Sequence, residues 1–270
     1  MEKPAMPPEP SLHPSLVVKI GGSILGSHDT TLEDLVALQQ RGSIPVVIHG
    51  GGQVITRWME KQSLLPRFVR GLRVTDASSM EIVVAVLCGL VNKELVASIQ
   101  GLGGRALGMS GIDGGMLQAE VLDPELGYVG RVTHVNTSPI CQALAGGYIP
   151  VIAPVALQAQ GSSSTGGTLL NVNGDTAAGE IARALEAEAM VFLTDVEGVM
   201  DSQHRLISHL TASQGAALIR SGTIAGGMIP KMEACLRALE GVKVAQIVDG
   251  RRERALMNFV EGQPSGTRIG

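Results

Sequence analysis

The stretch Val18-Lys19-Ile20-Gly21-Gly22-Ser23 decides the fold. It ends an aliphatic run, Leu16–Ile20, on a glycine pair, and His49-Gly50-Gly51-Gly52 repeats the arrangement after Pro45–Ile48. Short apolar runs of this kind read as strands buried on both faces, the habit of parallel sheets. A helical window at Thr31–Gln40 separates the two runs, and the alternation continues outward. Gln53–Gln62 and Ser78–Gln100 read as helices, the second with Ile82, Val86, Leu90 and Leu95 on one apolar side. Ala106–Met109 reads as a strand, Met116–Leu122 and Gly130–Val135 as antiparallel decoration, Pro139–Ala145 as a helix and Pro150–Ala153 as a strand. Gln158–Gly167 is too polar and glycine-rich for an element and reads as a hairpin loop before a strand at Thr168–Val172. Helices are expected at Thr176–Leu185, Ser213–Ser221, Met232–Leu239 and Arg252–Val260, with strands at Met190–Leu193 and Val242–Val248. This alternation predicts an α/β protein, a mainly parallel sheet covered by helices on both faces. Such sheets bind ligands at the carboxyl ends of their strands, where the glycine clusters fall.

Composition narrows the function. At 270 residues the chain fits one large α/β domain or two lobes on one sheet, and 44% hydrophobic residues supply a sizeable core. Aromatics are 2%, which leaves no base-stacking platform, and a net charge of −4 without a basic tract argues against a nucleic-acid partner. No apolar run reaches the roughly 18–20 residues of a membrane span, so no membrane partner is expected. Cys88, Cys141 and Cys235 are odd in number and far apart, which reads as buried reduced thiols of a cytoplasmic protein rather than a metal site. Met1–Pro14 is proline-rich, lacks a signal-peptide core and reads as a disordered tail.

Six short motifs carry chemistry. Lys19 interrupts a strand that otherwise reads as buried, so its charge needs an anionic partner, and Gly21-Gly22 lets the backbone approach one. Gly50-Gly51-Gly52 opens a helix whose N-terminal N–H groups form an anion site. Arg73, in Gly71-Leu72-Arg73-Val74-Thr75, suits bidentate grip of a carboxylate. Asn171, Asn173 and Asp175 end an apolar strand, and helix capping accounts for one of the three. Lys231 follows Pro230 in the first turn of a helix, where it opposes the dipole by roughly 0.3–1 kcal/mol unless an anion shares the space. Thr194-Asp195-Val196-Glu197-Gly198-Val199 and Gly226-Gly227-Met228-Ile229-Pro230-Lys231 complete the set. Glycine turns, lysines, one arginine and one aspartate are the parts of a phosphoryl-transfer site, which works by placing N–H groups and cations around charged oxygens. No Gly-Lys pair occurs, so a Walker A loop is absent, and Gly101–Ala106 has the wrong strand–helix order for a dinucleotide fingerprint.

From Ser15 to the C-terminus, these motifs in this order, with the terminal Gly266-Thr267-Arg268-Ile269, resemble the acetylglutamate kinases of the amino acid kinase family. The resemblance implies a three-layer αβα sandwich with a mainly parallel open sheet. It implies an acetylglutamate-binding and dimerisation lobe at 15–167 and an ATP-binding lobe at 168–270. It implies an enzyme that uses ATP to phosphorylate the side-chain carboxylate of N-acetyl-L-glutamate for arginine synthesis. Carried over by position, Lys19 and Lys231 would stabilise the transferring phosphoryl group, Asp175 would orient both, and Gly22 and Gly51 would donate backbone N–H bonds to it. Gly51, Gly52, Arg73 and Asn171 would hold the substrate, Arg73 on its α-carboxylate. Asp195, Val196, Glu197, Gly198, Val199 and Met200, with Thr223, Ile224 and Ala225, match the nucleotide-binding segments. Mg2+ would be held mainly by phosphates and water, with no protein metal site. Gly174 and Thr176 depart from the alanine and glutamine that relatives often carry there. Two alternatives stand beside this reading: a kinase for carrier-protein-linked aminoadipate, and a non-catalytic amino-acid or nucleotide sensor on the same fold. Five prolines in Met1–Pro14 make an extra N-terminal helix improbable, so an arginine-insensitive homodimer built on Ser78–Gln100 is expected.

Overall fold

The computed structural model describes residues 16–21, 30–159 and 167–270. The proline-rich tail, Gly22 with Ser23, and most of the 158–167 loop lie outside the described residues. The strands are β1 (Leu16–Ile20), β2 (Val46–His49), β3 (Phe68–Val69), β4 (Leu72–Arg73), β5 (Ala106–Ser110), β6 (Leu117–Val121) and β7 (Val129–Val135). They continue with β8 (Ile149–Ala153), β9 (Val155–Gln158), β10 (Leu169–Val172), β11 (Ala189–Thr194), β12 (His209–Leu210), β13 (Val244–Asp249) and β14 (Thr267–Ile269). The helices are α1 (Thr31–Gln40), α2 (Gly52–Lys61), α3 (Ala77–Val84), α4 (Asn92–Gly101) and α5 (Ser138–Ala145), then α6 (Gly174–Ala184), α7 (Ala212–Arg220), α8 (Met228–Ala238) and α9 (Ala255–Val260). A π-helical segment, Ala85–Val91, joins α3 to α4, so Ala77–Gly101 runs as one long helix.

An eight-stranded sheet in the order β12-β14-β13-β11-β1-β2-β8-β5 forms the middle layer. Its six strands from β13 to β5 pair in parallel, and β14 runs antiparallel to β13 at one side. Because successive side chains point to opposite faces, the aliphatic runs feed two cores. Val17, Val46, Ile48, Met190 and Phe192 face one core with α5, α6 and α8, while Val18, Ile20, Val47 and Val191 face the other with α1, the long helix and α9. That is a three-layer αβα arrangement. On sequence pattern alone the fully buried β1 predicts this two-sided burial.

Beside the main sheet, β6, β7, β9 and β10 close a small barrel. β6 and β7 are antiparallel, and β9, which follows β8 across Pro154, joins this barrel where sequence reading names no element and carries Gln158 out of the expected loop. β10 pairs with β9 and β7, so the strand that follows residue 167 completes a barrel whose other strands precede it. The hairpin β3–β4 and the short β12 and β14 also escaped sequence reading, being too short to show a period.

The helix Ala77–Gly101 is long and apolar enough, by length and composition, to cross a membrane, which corrects the expectation that no such run exists. Here it is a core helix: Ile82, Val83, Val86, Leu87, Val91, Leu95 and Ile99 are buried under the sheet, and Glu81, Lys93 and Glu94 are exposed.

Candidate active site

Three charged residues converge at the carboxyl ends of the central strands. Lys19, near the end of β1, is 7% exposed, and its Nζ lies 2.5 Å from Asp175 Oδ1. Lys231, in the first turns of α8, places its Nζ 3.0 Å from Asp175 Oδ2. Asp175 starts α6, which Asn173 caps by accepting from the N–H groups of Asp175 at 2.8 Å and Thr176 at 3.1 Å. One asparagine of the alternating three is therefore the cap. Gly179 brings α8 close to α6: a Cβ there would stand 2.7 Å from the Ala234 carbonyl, so only glycine permits the approach that carries Lys231 to Asp175. Burial pushes the Asp175 carboxyl up, but the ammonium groups of Lys19 and then Lys231 outweigh it and hold the carboxyl below its usual range. Burial dominates at Lys19 and lowers its ammonium, against the pull of Asp175 and with the push of Lys231.

The glycine turn after β2 closes one side of an adjoining pocket of ≈ 200 Å³. Gly51 is the N-cap of α2 and no side chain caps that helix, so its first N–H groups face the pocket unsatisfied by a cap. A Cβ at Gly51 would meet Leu87 Cδ2 at 2.6 Å, so a side chain there would have to displace Leu87. Gly174 joins the pocket to the charged triad, since a Cβ on it would lie 3.6 Å from both Lys19 Cε and the His49 carbonyl oxygen. His49 is fully buried, which drives its imidazole down to about 4 and leaves it neutral at pH 7.

Arg73 supplies the far wall. Phe68–Val69 and Leu72–Arg73 form a hairpin whose two turn residues, Arg70 (φ 50°) and Gly71 (φ 78°), both take positive φ, as a two-residue type I′ turn requires. Arg73 is 8% exposed and bonds to the Gly52 carbonyl at 2.9 Å, Thr56 Oγ1 at 2.8 Å and Met59 Sδ at 3.2 Å, over the face of Phe68. It pairs with no carboxylate among the described residues, and burial lowers its guanidinium. A buried, fixed cation without a counter-charge is an anion receptor. Asn171 completes this wall, its Nδ2 donating to Thr75 Oγ1 at 3.1 Å.

Gly51, Gly52, Arg73 and Asn171 line one pocket, and Lys19, Asp175 and Lys231 form a charged triad beside it, joined to it at Gly174. Gly22 lies outside the described residues. Of the remaining candidates, Asp195, Val196, Glu197 and Ala225 are exposed, Met200 and Thr223 are half-buried, and Val199 and Ile224 sit in the core. Asp195 is near enough to raise Lys19, which ties the end of β11 to the triad. Gly198, at φ 153°, packs where a Cβ would meet Thr267 Oγ1 at 2.6 Å, and the Val199 N–H donates to the same Oγ1 at 2.8 Å. Sequence reading missed Thr56, Met59, Phe68 and Leu87. Thr56 and Met59 stand four and seven residues after Gly52 on α2, the i, i+4, i+7 face of a helix, and this spacing is the signal that points them to Arg73.

The description "Amino acid kinase family" matches residues 14–249 of the chain. An acetylglutamate kinase of Dehalococcoides mccartyi is 42% identical over 254 residues, covering 94% of this chain and 93% of that protein. An acetylglutamate kinase of Cereibacter sphaeroides is 44% identical over 259 residues, covering 94% and 87%. Among solved structures, N-acetylglutamate synthase of Neisseria gonorrhoeae, complexed with coenzyme A and N-acetyl-glutamate, superposes with a TM-score of 0.77 at 29% identity, covering 94% of this chain and 59% of that one. Carbamate kinase of Giardia lamblia bound to AMP-PNP, at 14% identity, shares the fold with a TM-score of 0.67 over 95% and 98%.

Proposed function

This chain belongs to the amino acid kinase family, and we propose that it is an acetylglutamate kinase, transferring the γ-phosphoryl group of ATP to the side-chain carboxylate of N-acetyl-L-glutamate. The observation that carries the reading is one carboxylate, Asp175, shared by Lys19 and Lys231 at the edge of a pocket whose far wall holds the unpaired Arg73. Relatives at 42–44% identity over most of their length bear that name.

In this reading Arg73, with Asn171 beside it, takes the α-carboxylate of the substrate. The amide of Gly51 and the two ammonium groups surround the group in flight, where charge on its oxygens grows as the bond to ATP breaks. No base is required, because the attacking carboxylate is already ionised at neutral pH. Asp175 holds both lysines in place without itself touching the phosphoryl group. Nucleotide binding falls to Asp195–Met200 and Thr223–Ala225, supported by the field of Asp195 at Lys19. Among the described residues no cluster of metal-ligating side chains stands in the cleft, and Asp175 is already engaged by two cations. In this reading Mg2+ arrives on the phosphates of ATP and keeps its waters. We place the enzyme in the cytoplasm, in keeping with its three free thiols, and assign the dimer contact to the long helix, whose exposed side carries the small residues Ala85 and Gly89.

The test traps the acyl phosphate with hydroxylamine, offering N-acetylglutamate, glutamate, aspartate and carrier-linked aminoadipate in turn. Hydroxamate from N-acetylglutamate alone is the expected result. None above the enzyme-free control, from folded protein, refutes the reading.

A further inference from the structure

The motif His49-Gly50-Gly51-Gly52 contains one side chain that the phosphoryl-transfer reading leaves unused, and it faces a second. His49 and Asn92 are both fully buried, one at the end of β2 and the other where the π-helical segment passes into α4. The imidazole Nδ1 lies 2.8 Å from the carbonyl oxygen of Gly50. Its Nε2 lies 3.2 Å from Asn92 Nδ2, which also stands 2.8 Å from the Val151 carbonyl and 3.2 Å from the Met109 carbonyl. Asn92 Oδ1 accepts from Lys93 Nζ at 3.0 Å.

The Gly50 oxygen only accepts, which puts the imidazole proton on Nδ1, and Asn92 Nδ2 shares its two N–H groups among three acceptors. Carbonyl oxygens only accept, so the asparagine atom among them is the NH2 group. Facing that donor, His49 Nε2 must be the acceptor, and the one imidazole proton is left on Nδ1. Nδ1–H then donates to the Gly50 oxygen. In a trans peptide the C=O of one residue and the N–H of the next point in opposite directions. Holding the Gly50 oxygen against His49 therefore turns the Gly51 N–H away from it. That N–H has no protein acceptor among the described residues, and Gly51 lines the pocket. Three successive glycines would otherwise let this peptide rotate at little steric cost.

We propose that His49 and Asn92 are a positioning pair for phosphoryl transfer, with Asn92 selecting the imidazole tautomer and His49 aiming the Gly51 amide into the cleft. Neither touches substrate. The proposal rests on the kinase reading for its effect on rate, while the tautomer itself is independent of that reading. Without Asn92 the proton is free to move to Nε2, and an unprotonated Nδ1 would face the Gly50 oxygen as one acceptor against another. Val151 and Met109 belong to β8 and β5, so the same asparagine holds the glycine turn in register with the sheet beneath it.

Two measurements test this. Long-range proton–nitrogen NMR of the native chain, with the ring signals of His49 identified by their loss in His49→Asn, should show a neutral, Nδ1-protonated ring at pH 7. An Nε2-protonated or doubly protonated ring overturns the pair, whether or not the chain is a kinase. In the hydroxamate assay, Asn92→Leu and His49→Leu should lower kcat by about tenfold or more, bounded by the 100–1,000-fold loss of a whole donor, with KM for ATP little changed. His49→Asn keeps an N–H near the Nδ1 position and should recover most of that loss, a rescue that general damage to packing would not produce. A kcat within twofold of native for folded His49→Leu, or no recovery in His49→Asn, overturns the proposal. Where His49→Leu does not fold, Asn92→Leu and the ring spectrum decide. A native chain that makes no hydroxamate from any acceptor refutes the kinase reading and leaves the ring spectrum to decide the pair.

Discussion

Lys19 and Lys231, one on the central strand and the other on a helix near the end of the chain, meet at opposite oxygens of the same carboxylate, at 2.5 and 3.0 Å. Two cations this close are tolerable because Asp175 lies between them.

On the kinase reading proposed above, replacing either lysine by alanine removes charge that matters most when the phosphoryl group is in flight. Lys19→Ala and Lys231→Ala should each lower kcat by roughly 100–1,000-fold. Affinity for ATP should change far less, because the contact strengthens in the transition state. Steady-state kinetics with equilibrium nucleotide binding separates the two. A loss confined to KM contradicts the assignment.

Asp175→Asn leaves a buried and a half-buried ammonium group without their counter-ion and should cost about 3 kcal/mol of stability, read by urea unfolding at pH 7. The native carboxyl is held below its unfolded value, burial being outweighed by the two lysines. The sign follows: its contribution is complete above the unfolded carboxylate pKa of about 3.9 and is lost as the pH falls through the lower folded value. The gap between native and variant should therefore narrow only in strong acid. A gap that is constant from neutral pH down to acid would show that the charge is not what the variant removed.

Arg73→Ala should raise KM for the acyl-amino-acid substrate by about 10–100-fold, in line with ~1.5–3 kcal/mol for hydrogen bonds to a charged group. Its kcat should fall much less. Arg73→Lys should recover little, because a point charge cannot replace a planar fork held by Thr56 and the Gly52 carbonyl. Equal loss of kcat and kcat/KM would move Arg73 from substrate grip to transition-state contact.

Gly51→Ala drives a methyl to within 2.6 Å of Leu87 Cδ2, an overpacking that costs about 1–3 kcal/mol. Leu87→Ala vacates the space. The double variant should be more stable than the sum of the singles predicts, a coupling that thermal melts of the four proteins measure. Additive effects would mean that the loop moves instead of Leu87.

Asp34 of α1 accepts from the N–H groups of Leu256 and Met257, each at 3.2 Å, and so caps α9, whose own N-cap Arg254 offers no side-chain bond. Asp34→Ala should cost about 1 kcal/mol. Amide exchange should quicken first at Leu256 and Met257, and unchanged protection there would refute the cap.

Much of this protein is legible from residue order alone. The run Leu16–Ile20 predicts a two-sided buried strand and Thr31–Gln40 a helix with those bounds. Lys19, Arg73 and Lys231 stand out because a charge in an apolar or dipole-opposed setting needs a reason. Such signals are local: periodicity, turn chemistry and the cost of a buried charge act over a few residues. The tertiary structure alone decided that one carboxylate serves both lysines, that β10 closes a barrel with β6, β7 and β9, and that Asn92 meets His49. It also decided that Asp34 caps a helix more than two hundred residues away. These pairings have no signature in either partner's neighbourhood. They arise when the sheet order and helix layers that bury the most apolar surface bring distant polar groups within hydrogen-bond reach, where leaving them unpaired would be costly.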